Sequence, residues 1–496
     1  MTHESYELKL FEISKIAKSV LEGEDDTQKV HFSKTMLDIL RDSLGRETLS
    51  DFIKDDGKLK VTDLPNEVLI QILRYLPTRD FMNILPVCKH FYEIINQPNF
   101  FKSLVIRWPE NDRFATHITK KSQNLKILDL TCMHFPYNFV SRTLKFCEKL
   151  EVLRIHSDAG RRVSKKLMSD IAEFCKNLEH LYLDCQITLE GQKLIAKLAN
   201  LKSLTLRYNF YFMNSNYTGK IVHNESDILI AMSQFKQLET FTINNGYIDC
   251  SRRECRAEVP NEEAFKLFFE GRQKTLKILM LKHHFNFNDN CMAYLDLCAK
   301  LEHLSLVFHT PTVADVTLEA IGKLPCLKTL ILGNINSTSK MFGYLFANLN
   351  LKNLEELTLL SCPELNVNAI EILLDHIGTN LKRIVLDSCR NLRLNDGILA
   401  RLIEKCPKLI TIHYPGTLVR FSAKTIFELQ KKNAGLKLRV GANYDYEEVM
   451  KLEIEDLKTQ LFHETDVSKK SQIETSIQLK QDKLEERLSL IQQIKY

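Results

Sequence analysis

Glycine and proline are scarce in this chain of 496 residues, at 16 and 12 respectively. So few breakers exclude a collagen-like sequence and argue against long disordered linkers. Glycine spacing excludes more. The closest pair is Gly435 and Gly441, whereas a dinucleotide fingerprint needs glycines two apart and a phosphate loop needs them five apart. The nucleophile-elbow pattern and the two-histidine zinc helix are also missing. Neither sign of charge dominates: 68 Lys+Arg face 63 Asp+Glu, for a net of +5. That balance lacks the basic excess of a dedicated nucleic-acid binder and the unbroken run of an acidic tail.

Long apolar runs are lacking too. The longest, Ile228–Met232, falls far short of the roughly 18–20 residues that a bilayer-spanning helix needs. The opening stretch carries Glu4 and Glu7 and no apolar core, so it does not read as a secretory signal. The expected location is therefore cytoplasmic, nuclear or both, with no membrane partner. No two of the 13 cysteines are spaced Cys-x-x-Cys, which leaves zinc-ribbon and thioredoxin-like readings without support. In that compartment the cysteines are expected to be reduced thiols. Asn216, Asn224 and Asn336 match the glycosylation triplet but are then chance matches.

What the chain does have is a repeat. Hydrophobic residues make up 44% of it, enough for packed cores, and its length suggests roughly two to four domains. The hexamer Leu-x-x-Leu-x-Leu, with conservative swaps, starts at Leu125, Leu150, Leu178, Leu201, Leu238 and Leu276. It starts again at Leu301, Leu327, Leu354, Leu381, Leu409 and, in decayed form, Leu436. The mean period is about 28 residues, at the long end of the leucine-rich class. Each hexamer reads as a short strand with its leucines pointing inward. The residues between hexamers read as helices packed against the back of the strands: Ile398, Leu399, Leu402, Ile403 and Cys406 make one stripe, and Ile370, Leu373, Leu374 and Ile377 another, both at helical spacing. One such unit cannot bury both faces alone, so neighbours stack. The expected fold is α/β: a leucine-rich-repeat solenoid with a curved parallel sheet inside and helices outside, over residues 109–444.

The cysteines fit that lattice. Cys147, Cys175, Cys298 and Cys406 each precede the first leucine of a repeat by three, and Cys362 and Cys389 follow the last leucine of theirs by three. These are turn and helix-end positions where a small thiol packs well. The spacing resembles the cysteine-containing subclass of leucine-rich repeats.

Residues 61–108 differ in kind. In LPNEVLIQILRYLP, Pro65 sits in a favoured first-turn position. Val68, Leu69, Ile72, Leu73 and Leu76 share one face until Pro77. Phe81, Ile84 and Leu85 mark a second helix, and Val87, Phe91, Ile94 and Ile95 a third. Three short helices make a core too small to be comfortable alone, so a partner or the neighbouring domain should complete it. The segment resembles an F-box through Leu64, Pro65, Glu67, Val68 and Leu69 and then Val87, Cys88 and Lys89, departing where Phe91 replaces the usual Trp. F-box plus repeats resembles the substrate-receptor subunits of Skp–cullin–F-box ubiquitin ligases. The resemblance implies docking on a Skp-family adaptor, and through it a cullin, by Leu64, Pro65, Ile72, Leu76, Val87, Cys88 and Lys89. It implies that the repeats hold a target protein for ubiquitination and proteasomal degradation. The alternative is a non-catalytic repeat scaffold acting outside a ubiquitin ligase.

The ends carry less. Residues 1–60 hold two helical patterns of unassigned role. Residues 445–496 leave the repeat, rich in Glu, Lys and Gln and without Gly or Pro. Ile477, Leu484 and Ile491 form only a broken heptad seam, so a solvated helix or helical hairpin folding back on the last repeat is expected.

Target binding is expected on the outward positions of the strands, which alternate with the leucines, and on two oversize repeats. Neighbouring strands should place Arg154 and His156 beside Tyr182 and Asp184, and those beside Thr205 and Arg207. The intervals from Leu201 and from Leu238 run to 37 and 38 residues. The first holds Tyr208, Phe210, Tyr211, Phe212 and Tyr217; the second holds Arg252, Arg253 and Arg256. Insertions in a solenoid map to loops on one edge, and aromatic and Arg residues are favoured at interfaces. Arg pairs two-pronged with carboxylate or phosphate, which suits an acidic or phosphorylated target segment. His283, His284 and His303 match no metal-ligand spacing. No metal, no cofactor, no nucleic-acid partner and no catalytic role are expected.

Overall fold

A computed structural model of the chain describes residues 66–74, 81–107, 112–132, 137–156, 162–163, 165–187, 189–208, 225–245, 262–282, 288–415, 421–432, 435–440, 446–463 and 467–494. The expectations for residues 1–60 lie outside them. The chain divides into two compact units, Met1–Thr218 and Gly219–Tyr496.

The first unit opens with helices Asn66–Arg74, Phe81–Ile84 and Lys89–Ile95. Its strands are β1 (Ser103–Arg107), β2 (Ile127–Cys132), β3 (Val152–His156), β4 (Arg162–Val163), β5 (His180–Asp184), β6 (Gln186–Ile187) and β7 (Ser203–Tyr208). β1, β2, β3, β5 and β7 form a parallel ladder in that order, and β4 pairs with β6. The second unit holds β8 (Thr240–Asn245), β9 (Ile278–Lys282), β10 (His303–Thr312), β11 (Thr329–Ile335), β12 (Glu356–Leu360), β13 (Arg383–Asp387), β14 (Thr411–Tyr414) and β15 (Lys437–Val440), parallel and in sequence order.

All twelve hexamers lie on strands, in the expected α/β leucine-rich-repeat architecture. The leucines form the core for the reason their spacing suggests: alternate side chains on a strand share a face. Leu181, Leu183, Leu304, Leu306, Leu357 and Leu359 are all fully buried. Strand β1 adds a thirteenth unit, ahead of the first Leu-x-x-Leu-x-Leu hexamer. Its signal was present in degenerate form as FKSLVI from Phe101, with Phe101, Leu104 and Ile106 buried in the leucine places.

Helices fill most returns. Val367–His376 buries Ile370, Leu373 and Leu374; Asp396–Lys405 buries Ile398, Leu399 and Leu402. Asn366 and Asn395 cap them, accepting from the backbone N–H of Ala369 at 3.2 Å and of Ile398 at 2.9 Å. Those side chains satisfy donors that have no intrahelical acceptor. The return from β9 to β10 differs. There the described residues form 3-10 turns, Asp289–Met292 and Leu295–Leu297. Asp289 then serves the next repeat: its carboxylate accepts from the N–H groups of Val316 and Thr317 and from the Thr317 hydroxyl, each at 2.7 Å. Helix Asp315–Gly322 starts after Ala314, which has no capping side chain, so this borrowed carboxylate supplies the cap.

Polar ladders lock repeat to repeat. The second place of the hexamer pairs Lys126 with Glu151 at 2.5 Å and Lys202 with Glu179 at 2.8 Å in the first unit. In the second unit it pairs Lys277 with Glu239, Lys328 with Glu302 and Lys382 with Glu355, at 2.8, 2.6 and 2.7 Å. Asn177, Asn200, Asn353 and Asn380 each donate a side-chain N–H to a carbonyl of the preceding repeat. One buried cation stands out. Arg272, 2% exposed, donates from Nη2 to the Ser233 carbonyl at 2.8 Å, while its Nε and Nη1 meet no acceptor.

Helix Ala423–Lys432, just ahead of the last strand, packs on Tyr446–His463, which follows that strand and packs on Val467–Ile494. Met450, Ile454 and Ile477 are buried in this arrangement. Lys431 pairs with Asp456 at 2.5 Å, and Lys480 pairs with Glu453.

Candidate functional site

Two surfaces in the first unit carry the expected docking residues. The helical module is held by Leu69, Leu73, Phe81, Ile84, Ile94 and Ile95, all buried. Phe100 and Phe101, from the approach to β1, complete that core. Their ring centroids lie 5.7 and 5.1 Å from that of Phe81, edge to face, a favoured aromatic geometry. The undersized module thus borrows its floor from the first repeat.

Its third helix and the residue ahead of it expose both apolar and charged side chains. Val87 is 43% exposed and Tyr92 45%, and Lys89 pairs across one helical turn with Glu93 at 3.6 Å. Val87 lies ahead of the third helix and outside the core, although the sequence pattern grouped it with the core residues. Cys88 acts locally, as the N-cap of Lys89–Ile95, where its Sγ accepts from the Phe91 N–H at 3.4 Å. Ile72 lies in the first helix, with its side chain outside the description; Leu64, Pro65 and Leu76 lie outside the described residues.

The second surface is the outward face of the first unit's ladder. Register places Asp129, Arg154, Tyr182 and Thr205 in one row and His156, Asp184 and Arg207 in the next. The structure joins these as two charge clusters. Asp129 accepts from the Thr131 N–H at 3.0 Å, the Thr131 hydroxyl at 2.6 Å and the Arg154 guanidinium at 3.1 Å. Burial alone would raise its pKa, but the Thr131 hydrogen bonds and the Arg154 cation outweigh it and hold the carboxyl below its ordinary value. Asp184, buried, lies 2.9 Å from Nδ1 of His156 and 3.9 Å from Nη1 of Arg207. In both clusters the carboxylate is the inner partner. The Asp129 and Asp184 side chains are 11% and 6% exposed, against 51% and 47% for Arg154 and Arg207. The face therefore presents guanidinium groups outward, aimed from beneath by buried acids. Asp129 was not singled out in the sequence, though it occupies the fifth place of the first hexamer. Tyr208 ends β7; Tyr211, Phe212, Arg252 and Arg253 lie outside the described residues, as do His283 and His284.

Three cysteines at the repeat offsets are poorly placed for chemistry. Burial pushes the thiols of Cys147, Cys298 and Cys406 up to about 12, so they stay protonated at neutral pH and are inert as nucleophiles. Among the described residues no three His, Cys, Asp or Glu gather where a metal ion could be held, and no helix is long and apolar enough to cross a membrane.

Comparison with known proteins gives one family match: the F-box-like family model fits residues 61–107. No curated protein matches. Among solved structures, the chain is similar to the yeast Rad7 and Elc1 complex, at 16% identity and TM-score 0.42, covering 84% of this chain and 95% of that one. It is also similar to an internalin, InlF, from Listeria monocytogenes, at 16% identity and TM-score 0.41, covering 75% of this chain and 91% of that one. The chain thus carries an F-box-like segment directly ahead of a leucine-rich-repeat array.

Proposed function

We propose that the chain is the substrate-recognition subunit of an SCF-type ubiquitin ligase. The F-box-like segment docks on a Skp-family adaptor and through it a cullin, and the repeats hold a target protein for ubiquitination and degradation. The observation that carries this reading is the F-box-like match over residues 61–107. A small helical module with exposed Val87 and Tyr92 is consistent with it. So is the repeat array, because solenoids offer long binding faces. The reading asks for no nucleophile in this chain: transfer chemistry belongs to other subunits. Within the first unit, Arg154, His156, Tyr182, Asp184 and Arg207 are the proposed target contacts, suited to a carboxylate or phosphate by their outward guanidinium groups.

The experiment is affinity purification of the full chain, wild type and with Leu64→Ala and Pro65→Ala together. The wild type should bring down a Skp-family adaptor and a cullin. The double variant should lose both and keep its repeat-bound partners. A wild type that captures partners but no cullin would favour a scaffold outside a ubiquitin ligase.

A further inference from the structure

We propose that the outer edge of the last strand, β15, receives an extended segment of a partner protein in which acidic residues alternate with aliphatic ones. The segment adds a strand to the ladder. This goes beyond the receptor reading and stands whether or not the F-box-like segment docks on an adaptor.

The edge follows from topology. The second unit's ladder ends at β15, which pairs with β14 on one side and with no described strand on the other. The next described elements are helices, Tyr446–His463 and Val467–Ile494, stacked in turn on Ala423–Lys432. The helical layer thus runs two elements further than the sheet.

The backbone groups on that edge can be named. Along a strand of a parallel ladder, successive residues turn their N–H and C=O to opposite neighbours. The Lys437 N–H donates to the Ile410 carbonyl of the β14 repeat at 2.7 Å. Lys437 and Arg439 therefore bond toward β14, and the N–H and C=O of Leu438 and Val440 point to the outer side. Such an edge is a template for a further strand. An added strand gains its affinity from main-chain hydrogen bonds and its specificity from alternate side chains.

Charge selects the occupant. Register sets Arg383, Thr411 and Lys437 in one row and Val385, His413 and Arg439 in the row beside it. Those six positions hold three cations and no acid. Arg383 and Lys437 are exposed, and among the described residues neither pairs with a carboxylate. In the first unit, by contrast, Arg154 and Arg207 lie against Asp129 and Asp184. A strand added to β15 would lie about 4.8 Å away. Opposite charges facing each other across strands stabilise a sheet, and like charges oppose it. The residues of the segment beside Lys437 are therefore acidic. Those between turn to the side of the leucine core and are aliphatic.

A second copy of this chain does not fit. Its terminal strands are β1 and β15. β15 would bring Lys437 and Arg439 against the same cations, and β1, SLVIR, contains no acid.

The test uses a labelled hexapeptide of alternating Glu and Val, titrated by fluorescence anisotropy against the full chain. Its controls are the same residues in two blocks and a hexapeptide of alternating Lys and Val. The alternating acidic peptide should bind and saturate, with both controls weaker. Lys437→Glu with Arg439→Glu should weaken it about tenfold and turn the preference to the Lys–Val peptide. Circular-dichroism melts establish that the variant folds; Lys437→Gln with Arg439→Gln stands in if it does not. Residue-resolved hydrogen exchange reads the pairing itself. On binding, the Leu438 and Val440 amides should slow, while those of Lys437 and Arg439, already bonded toward β14, should not change. The proposal is overturned if the block peptide binds equally, if the double variant binds as tightly as the wild type, or if protection appears away from β15. It is also overturned if no peptide binds, which leaves Lys437 and Arg439 as guards against strand pairing. Dimers that form without peptide and protect the same two amides would assign the edge to a second copy instead.

Discussion

The two units share one backbone plan but differ in the chemistry of their outward strand positions. In the first, the fifth and seventh places carry Asp129, Arg154, Tyr182, His156, Asp184 and Arg207, and the charges satisfy one another. In the second, the same places from β9 to β13 are mostly apolar or small, and the two charges at the ends, Lys282 and Asp387, face no opposite charge among the described residues. The inward positions are mostly leucines in both, with Phe101 and Ile155 in the first and Phe241 and Ile384 in the second among the exceptions. A repeat thus separates two roles by side-chain parity: even spacing along a strand decides the core, and the alternate positions are free to differ without touching it.

The largest expected effect tests what the units share. Leu183→Ala in the first unit and Leu359→Ala in the second each remove a fully buried side chain. Each should cost about 2–5 kcal/mol, the usual range for such a core truncation. Urea unfolding followed by circular dichroism measures both, and a clear inequality between them would mean that the two cores are not equivalent.

A smaller effect tests where the units part. Asp184→Ala takes away the buried acceptor beneath His156 and Arg207 and should cost about 1–3 kcal/mol, the range for leaving polar groups unpaired. Asp387→Ala, by contrast, removes a carboxylate whose one side-chain hydrogen bond among the described residues comes from its neighbour Ser388, so the melting temperature should stay within error of the wild type. A matching loss at Asp387 would show that this carboxylate has a structural partner beyond Ser388.

The smallest effect concerns pH. The Asp129 pKa is lowered from an ordinary 3.8. A carboxyl depressed in the folded state adds stability that is fully present above its unfolded value and is lost as pH falls through the folded one. Stability curves of wild type and Asp129→Asn should therefore differ at neutral pH and converge below about pH 3.8. Curves that stay parallel down to pH 2 would mean that the Thr131 and Arg154 contacts are not made in solution.

Much of the fold was legible because its pattern is local and repeated. Twelve hexamers announced twelve strands, and the cysteines at fixed offsets announced buried turns. Where the pattern decayed, it hid an element: FKSLVI reads as a strand only once Phe101 is accepted in a leucine place. The return between β9 and β10 gives no sequence cue that 3-10 turns and a borrowed Asp289 carboxylate stand where a helix was expected. In the F-box-like module, Cys88 matched a family position, yet its thiol is spent locally on a helix cap, a role that depends on backbone dihedrals rather than residue type.

By itself the sequence determined the repeat, the inward leucines and the helical stripes, because each is set by spacing within a few residues of chain. The outward rows of Arg154, Tyr182 and Thr205 and of His156, Asp184 and Arg207 followed from the same spacing, but the tertiary structure alone decided which polar side chains pair. Lys126 and Glu151 lie 25 positions apart, as do Asp129 and Arg154, and residues that distant meet only when parallel strands stack in a definite register. The alternation of Lys and Glu at the second place was visible as letters but became an ion-pair ladder only with that register. The Asp129–Arg154 and Asp184–His156 pairs on the first unit's outward face likewise form only in that register. A one-residue slip of any strand would turn its outward row inward, and the buried leucines are what forbid that slip.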